Sequence, residues 1–154
     1  MKAAAARAVY LRAAEIDQPP PPFRTGEAGL VWVGGAGTLE TDARVPLSAN
    51  AVAALFGHGV IDELNRLALE GRLGSGRDAI MPQGILEEAA TILYEADRKT
   101  YGGTWEFVVD RAGDPEPVEY RVRVDNREYQ RSLLRLTDLL TLASRNGHAV
   151  RMRL

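Results

Sequence analysis

VEYRVRVDNREYQRSLLRLTDLLTLASRNGHAVRMRL, residues 118–154, carries three hydrophobic patterns in succession. Val118, Tyr120, Val122 and Val124 alternate with Glu119, Arg121, Arg123 and Asp125, the period of two that lays one face of a strand on a core. Asp125 then stands three places before Glu128. In that spacing the first side chain accepts the bare amides of a new helix and the second reaches back to it. Tyr129, Leu133, Leu136, Leu140 and Ala143 follow at helical spacing, and Asn146-Gly147 supplies a left-handed stop. Last, Val150, Met152 and Leu154 alternate with Arg151 and Arg153. Upstream, Trp105, Phe107 and Val109 alternate with Glu106, Val108 and Asp110, before a turn cluster at Ala112–Pro115. Residues 104–154 therefore read as strand, turn, strand, helix, strand.

The reading weakens toward the N-terminus. Met81-Pro82 suits the opening of a helix, whose Ile85, Ala89, Ile92, Leu93 and Ala96 share a face and which Tyr101-Gly102-Gly103 ends. The preceding stretch around Gly74-Ser75-Gly76 reads as a loop. Val60 to about Leu73 predicts a helix with Ile61, Leu64, Leu67 and Ala68 as its buried stripe. Ala49–Phe56 predicts another, capped by Ser48 and broken at Gly57-His58-Gly59. Leu30–Val33, the glycine cluster Gly34-Gly35-Ala36-Gly37 and Thr38–Val45 read as strand, turn and strand. Residues 3–16 are alanine-rich and lean to helix, with a short strand at Ala8–Leu11 as the other reading, and Pro19–Pro22 form a stiff arm.

The expected fold is α+β, a mixed or antiparallel sheet with three or four helices packed mainly on one face. Residues 1–22 form an N-terminal element with its proline arm, and 23–154 one domain. The chain of 154 residues is 45% hydrophobic and 26% charged, with a net charge of −2, ordinary values for a folded domain. The lack of cysteine excludes a disulfide framework, a thiol nucleophile and a thiolate metal site. Arg7 and Arg12 interrupt any apolar leader, and no window has the ~20 apolar residues that cross a bilayer. The expected location is cytoplasmic, with no membrane contact.

Motifs for chemistry are sparse. The glycine cluster at 34–37 follows a strand, as a phosphate loop does, but what comes after it reads as strand rather than helix, and the P-loop lysine is missing. His58 lies between two glycines and has the ionisation range for acid–base work. Its orienting partner would be Asp62, Glu63 or a remote residue, and the plainer account is a turn between helices. His58 and His148 do not have metal-ligand spacing, and no calcium loop occurs. Neither metal nor cofactor is expected, and no serine lies in a nucleophile elbow. Trp32 and Trp105 both read as core.

Charge is uneven along the chain. From Val118 to Leu154 eight arginines face four acids, a net +4, which leaves −6 for the rest. Period two puts Arg121 with Arg123 on one strand face and Arg151 with Arg153 on another. Adjacent strands would bring all four onto one outer face able to pair with carboxylates or phosphates, unless Glu106, Asp110 and Glu119 neutralise it. The expected function is that of a small intracellular protein without catalysis that engages a macromolecule: an immunity- or antitoxin-like inhibitor, or a subunit of a complex. The partner would be a protein with an acidic surface. The alternatives are an enzyme centred on His58 and nucleic-acid binding through the arginine face. The oligomeric state is open.

Overall fold

A computed structural model describes residues 7–11, 25–33, 39–112 and 118–154. The fold is α+β. The strands are β1 (Arg7–Leu11), β2 (Gly26–Val33), β3 (Leu39–Leu47), β4 (Asp78–Met81), β5 (Thr104–Ala112), β6 (Val118–Asp125) and β7 (Ala149–Arg153), and the helices are α1 (Ala49–Gly57), α2 (Val60–Leu64), α3 (Leu86–Lys99) and α4 (Asn126–Asn146).

The strands make two sheets where one was expected. The first has the order β1-β6-β5, with β1 parallel and β5 antiparallel to β6; the second, antiparallel, has the order β3-β2-β7-β4. Every element of the C-terminal strand–strand–helix–strand unit is present, yet β7 does not return to β6. Both edges of β6 are filled, by β5 on one side and β1 on the other, so no ladder remains for β7. At 1.5 Å per residue, α4 spans about 31 Å. It touches both sheets and carries the chain from one to the other.

Where sequence and structure agree, the cause is local. Asp125 accepts the amides of Arg127 (2.8 Å) and Glu128 (3.2 Å), and Gly147 ends α4 at φ +69°. Tyr129, Leu133, Leu136, Leu140 and Ala143 of α4 are buried against Val122 and Val124 of β6 and Val150 and Met152 of β7 within one core. Ser48 caps α1 by accepting from the Ala51 amide (3.1 Å). The glycine turn at 34–38 lies outside the described residues, but β2 and β3 on either side of it pair antiparallel, and a strand rather than a helix follows it.

Two expectations fail, each through a contact that apolar spacing does not encode. The helix foreseen to Leu73 stops at Leu64, because the Asn65 side chain holds the Leu73 backbone at both ends: Nδ2 donates to its carbonyl (3.0 Å) and Oδ1 accepts from its amide (2.9 Å). The chain turns back, Leu73 is buried, and Glu70 bridges Ile80. The helix foreseen from Met81 begins only at Leu86, after a 3-10 turn at Gln83–Ile85, because residues 78–81 are β4 on the edge of β7. Of the two readings of the N-terminal stretch, the short strand at Ala8–Leu11 is the one present, as β1 against β6; Pro19–Pro22 lie outside the described residues.

Candidate functional site

The four sheet arginines do not share a face. Arg121 and Arg123 project from β6 in the first sheet, and Arg151 and Arg153 from β7 in the second. The expectation of one four-arginine surface fails because β6 and β7 are not neighbours. Each pair shares one carboxylate on an adjacent strand. Glu106 of β5 lies 2.8 Å from Arg123 and 3.9 Å from Arg121. Asp78 of β4 lies 2.9 Å from Arg153 and 3.9 Å from Arg151. The Arg153 hydrogen bond and charge hold the Asp78 carboxyl below its ordinary range. Glu106 thus does what cross-strand pairing requires; the side chains of Asp110 and Glu119 lie outside those described. Among the strands, β4, invisible in the sequence, supplies the acid for the second pair.

His58 closes α1 and is held on three sides. Its ring stacks on Tyr129 of α4, centroids 4.7 Å apart and planes within 5°, and meets Trp105 of β5 at 4.8 Å. Nε2 lies 3.2 Å from Asn126 Oδ1. Asn126 is fully buried, and its amide nitrogen donates to the carbonyls of Tyr101 (3.2 Å) and Gly102 (3.5 Å). Those donations fix Oδ1 as the acceptor, so Nε2 carries the imidazole proton and Nδ1 the lone pair. Burial lowers the His58 pKa; the Asn126 bond acts in the opposite sense. The imidazole is therefore neutral at pH 7, and its partner is an amide instead of the foreseen Asp62 or Glu63. No nucleophile joins the described cluster. The Tyr129 hydroxyl is buried without a hydrogen-bond partner of good geometry, and burial raises its pKa far above the phenolic range.

The flanking glycines have structural reasons, close packing at one and backbone conformation at the other. A Cβ on Gly57 would overlap the Phe107 ring, and Gly59 opens α2 at φ +80°. Both explain Gly57-His58-Gly59 without a mobile catalytic turn. Trp105, expected in the core, is 43% exposed on β5, an edge strand of its sheet; the Trp32 side chain lies outside those described. His148 precedes β7, and among the described residues no three acidic or histidine side chains group as a metal site.

Sequence reasoning counted the arginines of α4 but did not see them as a surface. Arg127, Arg131 and Arg135 repeat every fourth residue and are exposed. With Leu134, Asp138, Leu142 and Arg145 they cover the outward side of the helix. None of these four arginines has an ion pair among the described residues. Beside Arg131 and Arg135 lies an open groove of about 590 Å³, bounded by Thr25 and Gly26, by Pro46–Ser48 and by Glu128 and Ser132 of α4. Ser48 caps α1 and also donates its hydroxyl to Glu128. The expected back-reach of Glu128 to the Asp125 amide is absent because Asn50 Oδ1 already accepts from it at 2.7 Å. The helical spacing of the three arginines was the signal that reveals this face. Among the described residues, no helix is long and apolar enough to cross a membrane. Comparison with protein-family models, with curated proteins and with solved structures finds no match to this chain.

Proposed function

We propose that this protein is a small cytoplasmic binding protein or accessory subunit, of the inhibitor kind in which a folded domain occupies an acidic surface of another protein. The observation that carries the reading is the outward side of α4, where Arg127, Arg131, Arg135 and Arg145 surround two leucines that are 56% and 43% exposed, Leu134 and Leu142. Guanidiniums without ion pairs among the described residues, set around exposed apolar side chains, suit a protein interface, where arginine is enriched and the buried centre is apolar. The sheet pairs Arg121/Arg123 and Arg151/Arg153 remain secondary contacts in this reading, since each already shares an internal carboxylate. A net charge of −2 favours a protein partner over nucleic acid, which draws on a long basic track.

Affinity capture from the cells that encode the protein tests the proposal. The wild-type chain should retain a protein that a variant reversed at Arg127, Arg131, Arg135 and Arg145 loses by about tenfold or more, while the variant and the wild type melt alike, because the replaced side chains are exposed. A wild-type chain that retains no protein, or one whose retained partner is indifferent to the four reversals, overturns it. Retention of nucleic acid with a steep salt dependence would move the face to the nucleic-acid alternative.

A further inference from the structure

We propose that the groove beside the N-terminal half of α4 is a docking site for an acidic, leucine-bearing segment of a partner protein, with two of its carboxylates on Arg131 and Arg135. This inference rests on the binding reading above and names the part of the surface that selects the partner.

Three features of the groove and one residue beside it define its occupant. The groove is open to solvent along its length and offers about 590 Å³, room for several side chains of an extended segment. Arg131 and Arg135 stand one helical turn apart on one wall, without ion pairs among the described residues. Neighbours at that spacing are roughly 5–6 Å apart at Cβ, which suits two carboxylates, each held by a guanidinium fork. Glu128 closes the other end and is held there by the Ser48 hydroxyl. Its charge repels an acid at that end, so the acidic residues of the segment lie toward Arg135 and a neutral or basic residue lies beside Glu128. Leu134, exposed on the adjoining outward side of α4, provides apolar contact to a segment that leaves the groove.

A nucleic acid fits these features less well. Its phosphates are continuous, whereas Glu128 interrupts the positive lining, and among the described residues that line the groove there is no aromatic ring to stack a base. Trp105 and Tyr129, the rings placed against His58, are not among the groove residues.

The test compares three proteins, wild type, R131E/R135E and R127E/R145E, by fluorescence anisotropy. The probes are a fluorescein-labelled peptide of alternating glutamate and leucine and a single-stranded oligonucleotide of the same length. Wild type should bind the peptide more tightly than the oligonucleotide. R131E/R135E should weaken the peptide about tenfold or more, and R127E/R145E, which leaves the groove wall intact, about threefold or less. Equal peptide binding by wild type and R131E/R135E, or tighter binding of the oligonucleotide, overturns the groove assignment. Capture of the cellular partner by the same three proteins separates this failure from that of the broader reading. A partner kept by R131E/R135E but lost by R127E/R145E leaves a binding protein whose site is not the groove. A wild-type chain that captures no protein removes the broader reading as well.

Discussion

His58 is the residue whose surroundings changed most between its sequence setting and its place in the fold. Two glycines suggested a mobile base, but the ring is gripped by Tyr129, Trp105 and Asn126. That grip has a consequence for stability. Burial holds the native pKa below 6.5, whereas in the unfolded chain the imidazole returns to its ordinary value. Between the two values the unfolded chain binds the extra proton, so stability rises with pH there. The contribution is complete above about pH 6.5 and is lost as pH falls through the lowered native value. Urea midpoints should therefore decline from pH 7.5 to pH 5, and His58→Gln should flatten part of that decline. A wild-type midpoint independent of pH over this interval would show that burial of the imidazole has no energetic weight. The depressed Asp78 carboxyl acts in a separate, more acid window: its contribution persists above its ordinary value and is lost as pH falls below that.

At the scale of elements, what could be read from sequence was whatever neighbouring residues determine. Strand β6, the Asp125 cap, α4 and the Gly147 stop follow from periodicity and capping chemistry within 30 consecutive residues, and all four are present. The end of α2 and the existence of β4 are set by partners that the apolar pattern does not show, the Leu73 backbone for Asn65 and the β7 edge for Asp78–Met81. Apolar spacing continued through Leu67, so only the asparagine's capture of a remote backbone could stop the helix. The same limit hid the His58 cluster, whose members come from α1, β5 and α4. The α4 arginine face, by contrast, was readable, since i, i+4 and i+8 spacing suffices. Gly57 shows how an interelement contact inverts a local rule. Replacing glycine by alanine within a helix gains up to about 1 kcal/mol from propensity. Here the added methyl meets the Phe107 ring, and overpacking costs roughly 1–3 kcal/mol. Gly57→Ala should therefore destabilise the protein in chemical denaturation, and pairing it with Phe107→Leu should recover much of the loss. Equal losses in the single and double variants would place the cost elsewhere.

Across the whole molecule the decisive fact is that β6 is a central strand. Sequence makes β5 its hairpin partner, but nothing near it in the chain announces β1, which arrives from more than 100 residues upstream and pairs in parallel from Arg7↔Val118 to Leu11↔Val122. Val9 and Tyr10 of β1 suit a strand, but its partner is a tertiary choice that no neighbouring residue dictates. It fixes the architecture: with both β6 edges filled, β7 is driven into the second sheet, and α4 becomes the element that joins the two. Deleting residues 1–11 should then do two things. It should lower the urea midpoint, because Val122 and its neighbours lose the strand beside them, and it should leave a row of unpaired amides and carbonyls along β6. An exposed edge of this kind recruits other chains. Sedimentation velocity of the shortened protein should accordingly show concentration-dependent association beyond that of the full chain. If the shortened protein sediments as the full chain does with an unchanged midpoint, β1 is an ornament on the sheet, and the exclusion of β7 from β6 must have another cause.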